Sequence, residues 1–141
     1  MMLKPILFLD FDGVLHRKME GNFEFLPNLF KVLNQFPEIK IVISSDWRHS
    51  LTPEACWNIF GDYCHRIIGA TAKLSNSNRQ AEILEYVRLN QISKFIAIDD
   101  DCRSILFDSD CQWLFKTNYF RGLDAETTEQ VMGYISRILK D

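Results

Sequence analysis

The amino-acid sequence predicts an α/β fold of three layers, with a parallel sheet of about five strands between helices on both faces. Three observations predict it. Short apolar runs of strand length alternate with segments of helical periodicity along the chain. The runs are apolar throughout instead of alternating with polar residues, as in strands buried on both faces. Three of them end in acids or hydroxyls, and ligands of open parallel sheets bind at the carboxyl ends of the strands.

Residues 6–9 read as the first strand, bounded by Pro5 and Asp10. Gly13 permits a turn after it. Residues 14–25 are mixed in character, and Gly21-Asn22 in their middle predicts a small β-hairpin flap. Pro27 opens a helix to about Phe36, with Leu29, Phe30 and Leu33 at helical spacing, and Pro37 closes it. The second strand, 39–43, runs into Ser44-Ser45. Thr52 and Pro53 supply a capping hydroxyl and a first helical residue for a helix to about Phe60. Residues 66–68 form a short third strand. Ser77 or Asn78 caps a helix over 79–90, whose inner face takes Ile83, Leu84, Val87 and Tyr86. The fourth strand, 95–98, ends at Asp99-Asp100-Asp101, and the last covers 112–115. Asp124 caps a helix over 125–139 that buries Val131, Met132, Ile135 and Ile138. This order of elements is Rossmann-like. No repeat, low-complexity tract or flexible linker interrupts it, so residues 1–141 read as a single domain.

Composition narrows the function classes. Apolar residues make up 47% of the 141, enough for a packed globule. A formal net charge of -3 argues against a broad nucleic-acid-binding surface while leaving room for a local basic pocket. No two of the four cysteines stand two residues apart, so neither a zinc knuckle nor a redox pair is signalled. Free thiols in or near the core are expected, with disulfides as the alternative. No apolar stretch has membrane length, and the first run is short and ends in acid, unlike a signal peptide; a cytoplasmic protein is expected.

The strand ends carry the chemistry. They present Asp10-Phe11-Asp12-Gly13, Ser44-Ser45-Asp46 and Asp99-Asp100-Asp101, with the cations Lys73 and Arg79 ahead of the fourth strand. If these groups share one crevice, the carboxylates repel each other, and a divalent cation relieves the repulsion. Oxygen-only ligands favour Mg²⁺. A hydroxyl and a cation in the same crevice suit the remaining oxygens of a phosphate. Residues two apart in extended chain project to one side, so Asp10 and Asp12 face a common phosphorus, one as nucleophile and the other moving protons.

These residues resemble the haloacid dehalogenase (HAD) superfamily. Phe8-Leu9-Asp10-Phe11-Asp12-Gly13-Val14-Leu15 is similar to its first motif. Ile41-Val42-Ile43-Ser44-Ser45 is similar to its second and Ile96-Ala97-Ile98-Asp99-Asp100 to its fourth. Ser44-Ser45-Asp46-Trp47-Arg48 and Arg79-x-x-Glu82-Ile83 further resemble the group related to phosphatase domains of RNA-repair proteins. The resemblance implies a phosphatase in which Asp10 forms an aspartyl-phosphate and Asp12 is general acid, then base. It implies that Asp10, the backbone carbonyl of Asp12 and Asp100 hold Mg²⁺, with Asp99 supporting from behind. It implies that Ser44 binds the transferring phosphoryl group and that Arg79, or Lys73 in its place, supplies the third-motif cation. Only a small flap fits in the roughly thirty residues between the first two motifs. An open site suits a nucleic-acid end or a phosphoprotein, or a small phosphomonoester if a partner closes the site.

Alternatives stand beside this reading. A receiver-like module accepts phosphate without releasing it, but such modules carry the acidic pair after the first strand and the accepting Asp later. A degenerate binding protein would keep the fold without the chemistry. Trp47 and Arg48 read either as substrate contacts or as core packing and a surface ion pair. His16 reads as a surface histidine on the flap.

Overall fold

Five strands, Ile6–Leu9 (β1), Lys40–Ile43 (β2), Ile67–Ala70 (β3), Phe95–Asp99 (β4) and Leu114–Lys116 (β5), form one sheet in the order β3-β2-β1-β4-β5. Every neighbouring pair is parallel. The helices are Leu26–Gln35 (α1), Pro53–Phe60 (α2), Arg79–Asn90 (α3) and Ala125–Lys140 (α4). The computed structural model describes residues 4–74 and 78–140.

Strand periodicity divides the core. Leu7, Leu9, Ile41, Ile43, Ile96 and Ile98 join one cluster with side chains of α1, α2 and α4, including Leu29, Leu33, Phe60, Val131 and Ile135. Ile6, Phe8, Val42 and Ala97 join the other with Ile83 of α3 and with Phe107. β1 and β2 are buried on both faces apart from a half-exposed Lys40, which is why they read as unbroken apolar runs. The chain steps outward from β1 to β2 and β3, then returns to place β4 on the other side of β1. The crevice at such a reversal lies over the carboxyl ends of β1 and β4, the ends that carry the acids.

The helix starts follow the sequence. Thr52 accepts from the Ala55 amide at 3.1 Å, Asn78 from Ala81 at 2.9 Å and Asp124 from Thr127 at 2.9 Å. Ser77, the alternative cap, lies outside the described residues. The third strand starts one residue later than expected and the last two residues later.

Three expectations are corrected. Residues 14–25 form turns with a single bridge between Asp12 and His16, not a two-stranded hairpin. The segment is pinned instead by isolated bonds such as Gly13 N–H to Lys18 C=O and Phe25 N–H to Leu15 C=O, both 2.9 Å. On α3, Leu84 is exposed, and Glu82 is buried in its place because it has polar partners. Its carboxylate accepts from the Leu74 amide at 3.0 Å and lies 3.5 Å from Arg48. Arg48 is therefore no surface group: its side chain is buried and also donates to Ser45 C=O at 3.1 Å. The cysteines are free thiols, with Cys56 buried and Cys102 exposed.

Candidate active site

The same periodicity that builds the sheet sets the site. Asp10, Ser44 and Asp99 continue the parity of Phe8, Val42 and Ala97, so they follow the α3 side of the sheet. Arg79 is the first residue of α3. Its guanidinium lies 2.7 Å from Asp99 Oδ2 and 3.4 Å from Asp10 Oδ1. All three side chains are nearly buried. Oxygens of Asp10, Asp99 and Asp100 lie within 4.8 Å of one another.

The three acids are not equivalent. Both oxygens of Asp99 are committed, one to Arg79 and the other to the Asp101 amide at 2.8 Å. Asp100 spends one oxygen on the Cys102 amide at 3.2 Å. Asp10 and Asp100 thus keep more capacity toward the crevice. Gly13 lets the two strand ends meet: its φ is +72°, and a Cβ there would lie 2.8 Å from Asp100 Cγ. Thr117, after β5, donates to Gly13 C=O at 2.7 Å and fixes the turn from the far side.

The electrostatics follow from the crowding. Burial pushes the Asp10 carboxyl well above the ordinary range, the neighbouring Asp99 charge pushes it further, and Arg79 opposes both. Burial also raises Asp99, against the pull of Arg79. Burial works against the Arg79 charge, yet Asp99 and Asp10 hold it more firmly protonated than usual.

A cavity of about 400 Å³ opens above these groups, and its walls include Asp10, Asp12, Ser45, Arg79 and Asp100. Ser45 lines it, whereas Ser44 is fully buried behind, its Oγ without a hydrogen-bond partner among the described residues. Lys73 is exposed and is not among the cavity residues, so Arg79 is the one of the two candidate cations that reaches the acids.

Asp12 is held by residues outside the expected site. Its Oδ1 accepts from Trp47 Nε1 at 3.0 Å and contacts His16 Nε2 at 2.7 Å. His16 is completely buried and not on the surface, because the turn after Gly13 folds it back under Asp12. Trp47 packs against Phe11, Phe23 and His16, so it is largely a packing residue whose ring N–H meets the site. The four-residue spacing of Asp12 and His16 was visible in the sequence, but nothing local signalled that the turn closes.

Asp101, the last acid of the run after β4, has a role that the sequence does not show. Its buried carboxylate accepts from the amides of Ile105, Leu106 and Phe107 at 3.0–3.2 Å, holding the loop that forms one cavity wall. Asp101→Ala leaves the buried Phe107 amide without its acceptor and loosens the two part-buried ones, and at about 1–3 kcal/mol for a buried unsatisfied group it is expected to cost about 2 kcal/mol. Urea denaturation checks this; wild-type stability would show that water satisfies the loop unaided.

The donor set suits a hard divalent cation. It is all oxygen, and it gathers carboxyls whose charged forms burial and mutual repulsion disfavour. No helix among the described residues is long and apolar enough to cross a membrane. No curated protein was found to match the chain. The family model for the HAD domain in Swiss Army Knife RNA repair proteins matches residues 6–128. With the parallel sheet, the absence of a large cap among the described residues and the acids at the ends of β1 and β4, that match places the chain in the HAD superfamily of phosphatase-type hydrolases, as a domain related to those of RNA-repair proteins.

Proposed function

We propose that this chain is a Mg²⁺-dependent phosphomonoester hydrolase acting through an aspartyl-phosphate on Asp10. The observation that carries the proposal is the meeting of Asp10, Asp99 and Asp100 within 4.8 Å at one end of the sheet, beside Arg79. Asp10, Asp100 and the backbone carbonyl of Asp12 would hold Mg²⁺. When bound, the ion offsets the repulsion among the acids and draws charge from the phosphoryl oxygens.

The chain's own residues divide the remaining work. An Asp10 oxygen attacks phosphorus as the bond to the leaving oxygen breaks, and Asp12 gives that oxygen its proton. Water then attacks phosphorus, Asp12 takes the water's proton, and the bond to Asp10 breaks to release phosphate and restore the carboxylate. Arg79 balances charge on Asp10 and on the phosphoryl oxygens. Ser44, with its unpartnered Oγ, supplies a donor beside Asp10. Asp99 fixes Arg79 and the Asp101 amide.

For substrate, we favour the phosphorylated end of a nucleic acid. Among the described residues only turns and the single Asp12–His16 bridge stand between Asp10 and α1, so the cavity stays open to a large molecule. Exposed Arg103, with Met19 and Tyr119, stands at its wall. The proteins that define the matching family model are RNA-repair proteins. A phosphoprotein, or a small phosphomonoester under a partner's lid, is the alternative outcome of a substrate screen. Phosphate release from aryl phosphates and from 3′- and 5′-phosphorylated oligonucleotides, with Mg²⁺ and with EDTA, tests the activity. Release with Mg²⁺ alone is expected. No release from any phosphomonoester would overturn it, and a phosphorylated form that persists would support a phosphate-accepting module instead.

The crowded acids also make stability depend on pH and metal. Both carboxyls are raised, so their ionised forms are worse accommodated folded than unfolded. The metal-free protein is expected to lose stability as pH climbs from the ordinary carboxylate range, about 4, through the raised values, and to stay at the lower level above them. Mg²⁺ should restore melting temperature at neutral pH and do little at acid pH, by about 3–5 °C for each kcal/mol of repulsion relieved. Thermal denaturation with EDTA and with Mg²⁺ checks this; a Mg²⁺ effect of equal size at both pH values contradicts it.

A further inference from the structure

Asp12 is held by one oxygen. Trp47 Nε1 at 3.0 Å and His16 Nε2 at 2.7 Å both converge on Oδ1. The Asp12 side chain is 27% exposed, and the residue lines the cavity, whereas His16 is 0% exposed. The hydrogen-bond role of the His16 ring follows from what its two nitrogens meet. Nδ1 is buried with no hydrogen-bond partner among the described residues. A proton there would be a stranded donor, and the bare Nε2 would then face the carboxylate lone pairs. Nε2 therefore carries a proton and donates to Asp12. The Trp47 indole N–H is a donor only. The His16 ring is itself wedged edge-on against Phe23 at 5.1 Å and beside Trp47 at 5.9 Å, which fixes its aim.

We infer that His16 and Trp47 are positioning residues for proton transfer, fixing Oδ1 of Asp12 as an acceptor and leaving Oδ2 to carry the mobile proton toward the cavity. Two donors on one oxygen make it the carbonyl oxygen of the protonated acid, because a proton placed there would collide with both N–H groups. The proton is thereby confined to Oδ2. In the first half of the reaction it passes from Oδ2 to the leaving oxygen as the P–O bond breaks. In the second, the attacking water's proton returns to Oδ2. The arrangement has its greatest effect where the leaving group is a poor one, an aliphatic alcohol, and little where it is an acidic phenol that departs unprotonated. The inference rests on Asp12 acting as the general acid in the function proposed above and names what aims it.

The test is the dependence of kcat/KM on the leaving group, measured with Mg²⁺ across phosphomonoesters from dinitrophenyl phosphate to an alkyl phosphate. Asp12→Ala calibrates the full loss of general-acid catalysis, about 10²- to 10⁴-fold on the alkyl ester. Trp47→Phe keeps the packing and removes one donor; it is expected to lose about 10-fold or more on the alkyl ester and several-fold less on the dinitrophenyl ester. His16→Phe should show the same slope, and His16→Gln, which restores an N–H in reach, should recover part of it. A loss equal on all esters in Trp47→Phe would overturn the inference, even if buried His16 variants fail to fold. If Asp12→Ala itself shows no such slope, the acid assignment falls instead, and with it any role for the two donors. If the wild-type protein hydrolyses none of the esters, the proposed function falls.

Discussion

Asp10→Asn is expected to reduce phosphate release by at least about 10⁴-fold while leaving the fold intact. The substitution keeps the side chain's shape and removes its nucleophilic oxygen, and an amide does not form the phosphoenzyme. It differs from most changes at a buried polar position in its effect on stability. Asp10 is 3% exposed, and its charge is disfavoured by burial and by Asp99 more than Arg79 compensates. Without metal, the variant should therefore melt above the wild type at neutral pH. Loss of activity with gain in metal-free stability separates a nucleophile from a structural acid. Steady-state turnover and thermal denaturation of the same preparations check both; retained turnover would mean that another group attacks phosphorus.

Gly13→Ala is expected to be the most damaging conservative change near the site. The residue sits at φ +72°, a region that costs L-residues roughly 1–2 kcal/mol. The added methyl would also meet Asp100 Cγ at 2.8 Å, Asp100 Cβ at 2.9 Å and Tyr119 Cδ1 at 2.9 Å. The Tyr119 ring can turn aside, but Asp100 follows directly on β4 and has no such freedom. Relief must come from moving Asp100 away from Asp10. A fall of about 10- to 100-fold in Mg²⁺ affinity or activity should accompany the loss of stability. Gly133→Ala is the control: that glycine lies in α4 with open space where its Cβ would be, so the change should be neutral or stabilising by about 0.5–1 kcal/mol. Isothermal titration with Mg²⁺ checks the first variant; wild-type affinity would show that Asp100 is no ligand.

Much of this was legible in the sequence because the strands advertise themselves. A strand buried on both faces cannot tolerate a polar residue, so the abrupt change from Leu9 to Asp10 marks its end and its function together. The helix caps Thr52, Asn78 and Asp124 were readable because an oxygen at the cap position satisfies a donor that the helix leaves open. What escaped depends on contacts far apart in sequence. Glu82 is buried only because Arg48 and the Leu74 amide receive it, and Leu84 is exposed on the same helix. The sequence reads His16 as a surface residue because a turn-rich segment has no periodicity to show which side chains fold inward. Trp47, thirty-five residues beyond Asp12, reaches it through the 3₁₀ turn Asp46–His49 after Ser45. The choice between Lys73 and Arg79 likewise needed geometry, since both precede β4 and only Arg79 opens a helix facing the acids.

The central claim is that the acids after β1 and β4 share one metal ion beside a nucleophilic Asp10. A crystal grown with Mn²⁺ and beryllium fluoride tests it most directly, since the anomalous signal of manganese locates the ion and the fluoride complex marks the carboxylate that accepts phosphoryl groups. The predicted map has one Mn²⁺ peak touching both Asp10 and Asp100, with beryllium fluoride joined to an Asp10 oxygen within reach of Arg79. A manganese peak away from this pair, or a fluoride complex on any other residue, would contradict the account.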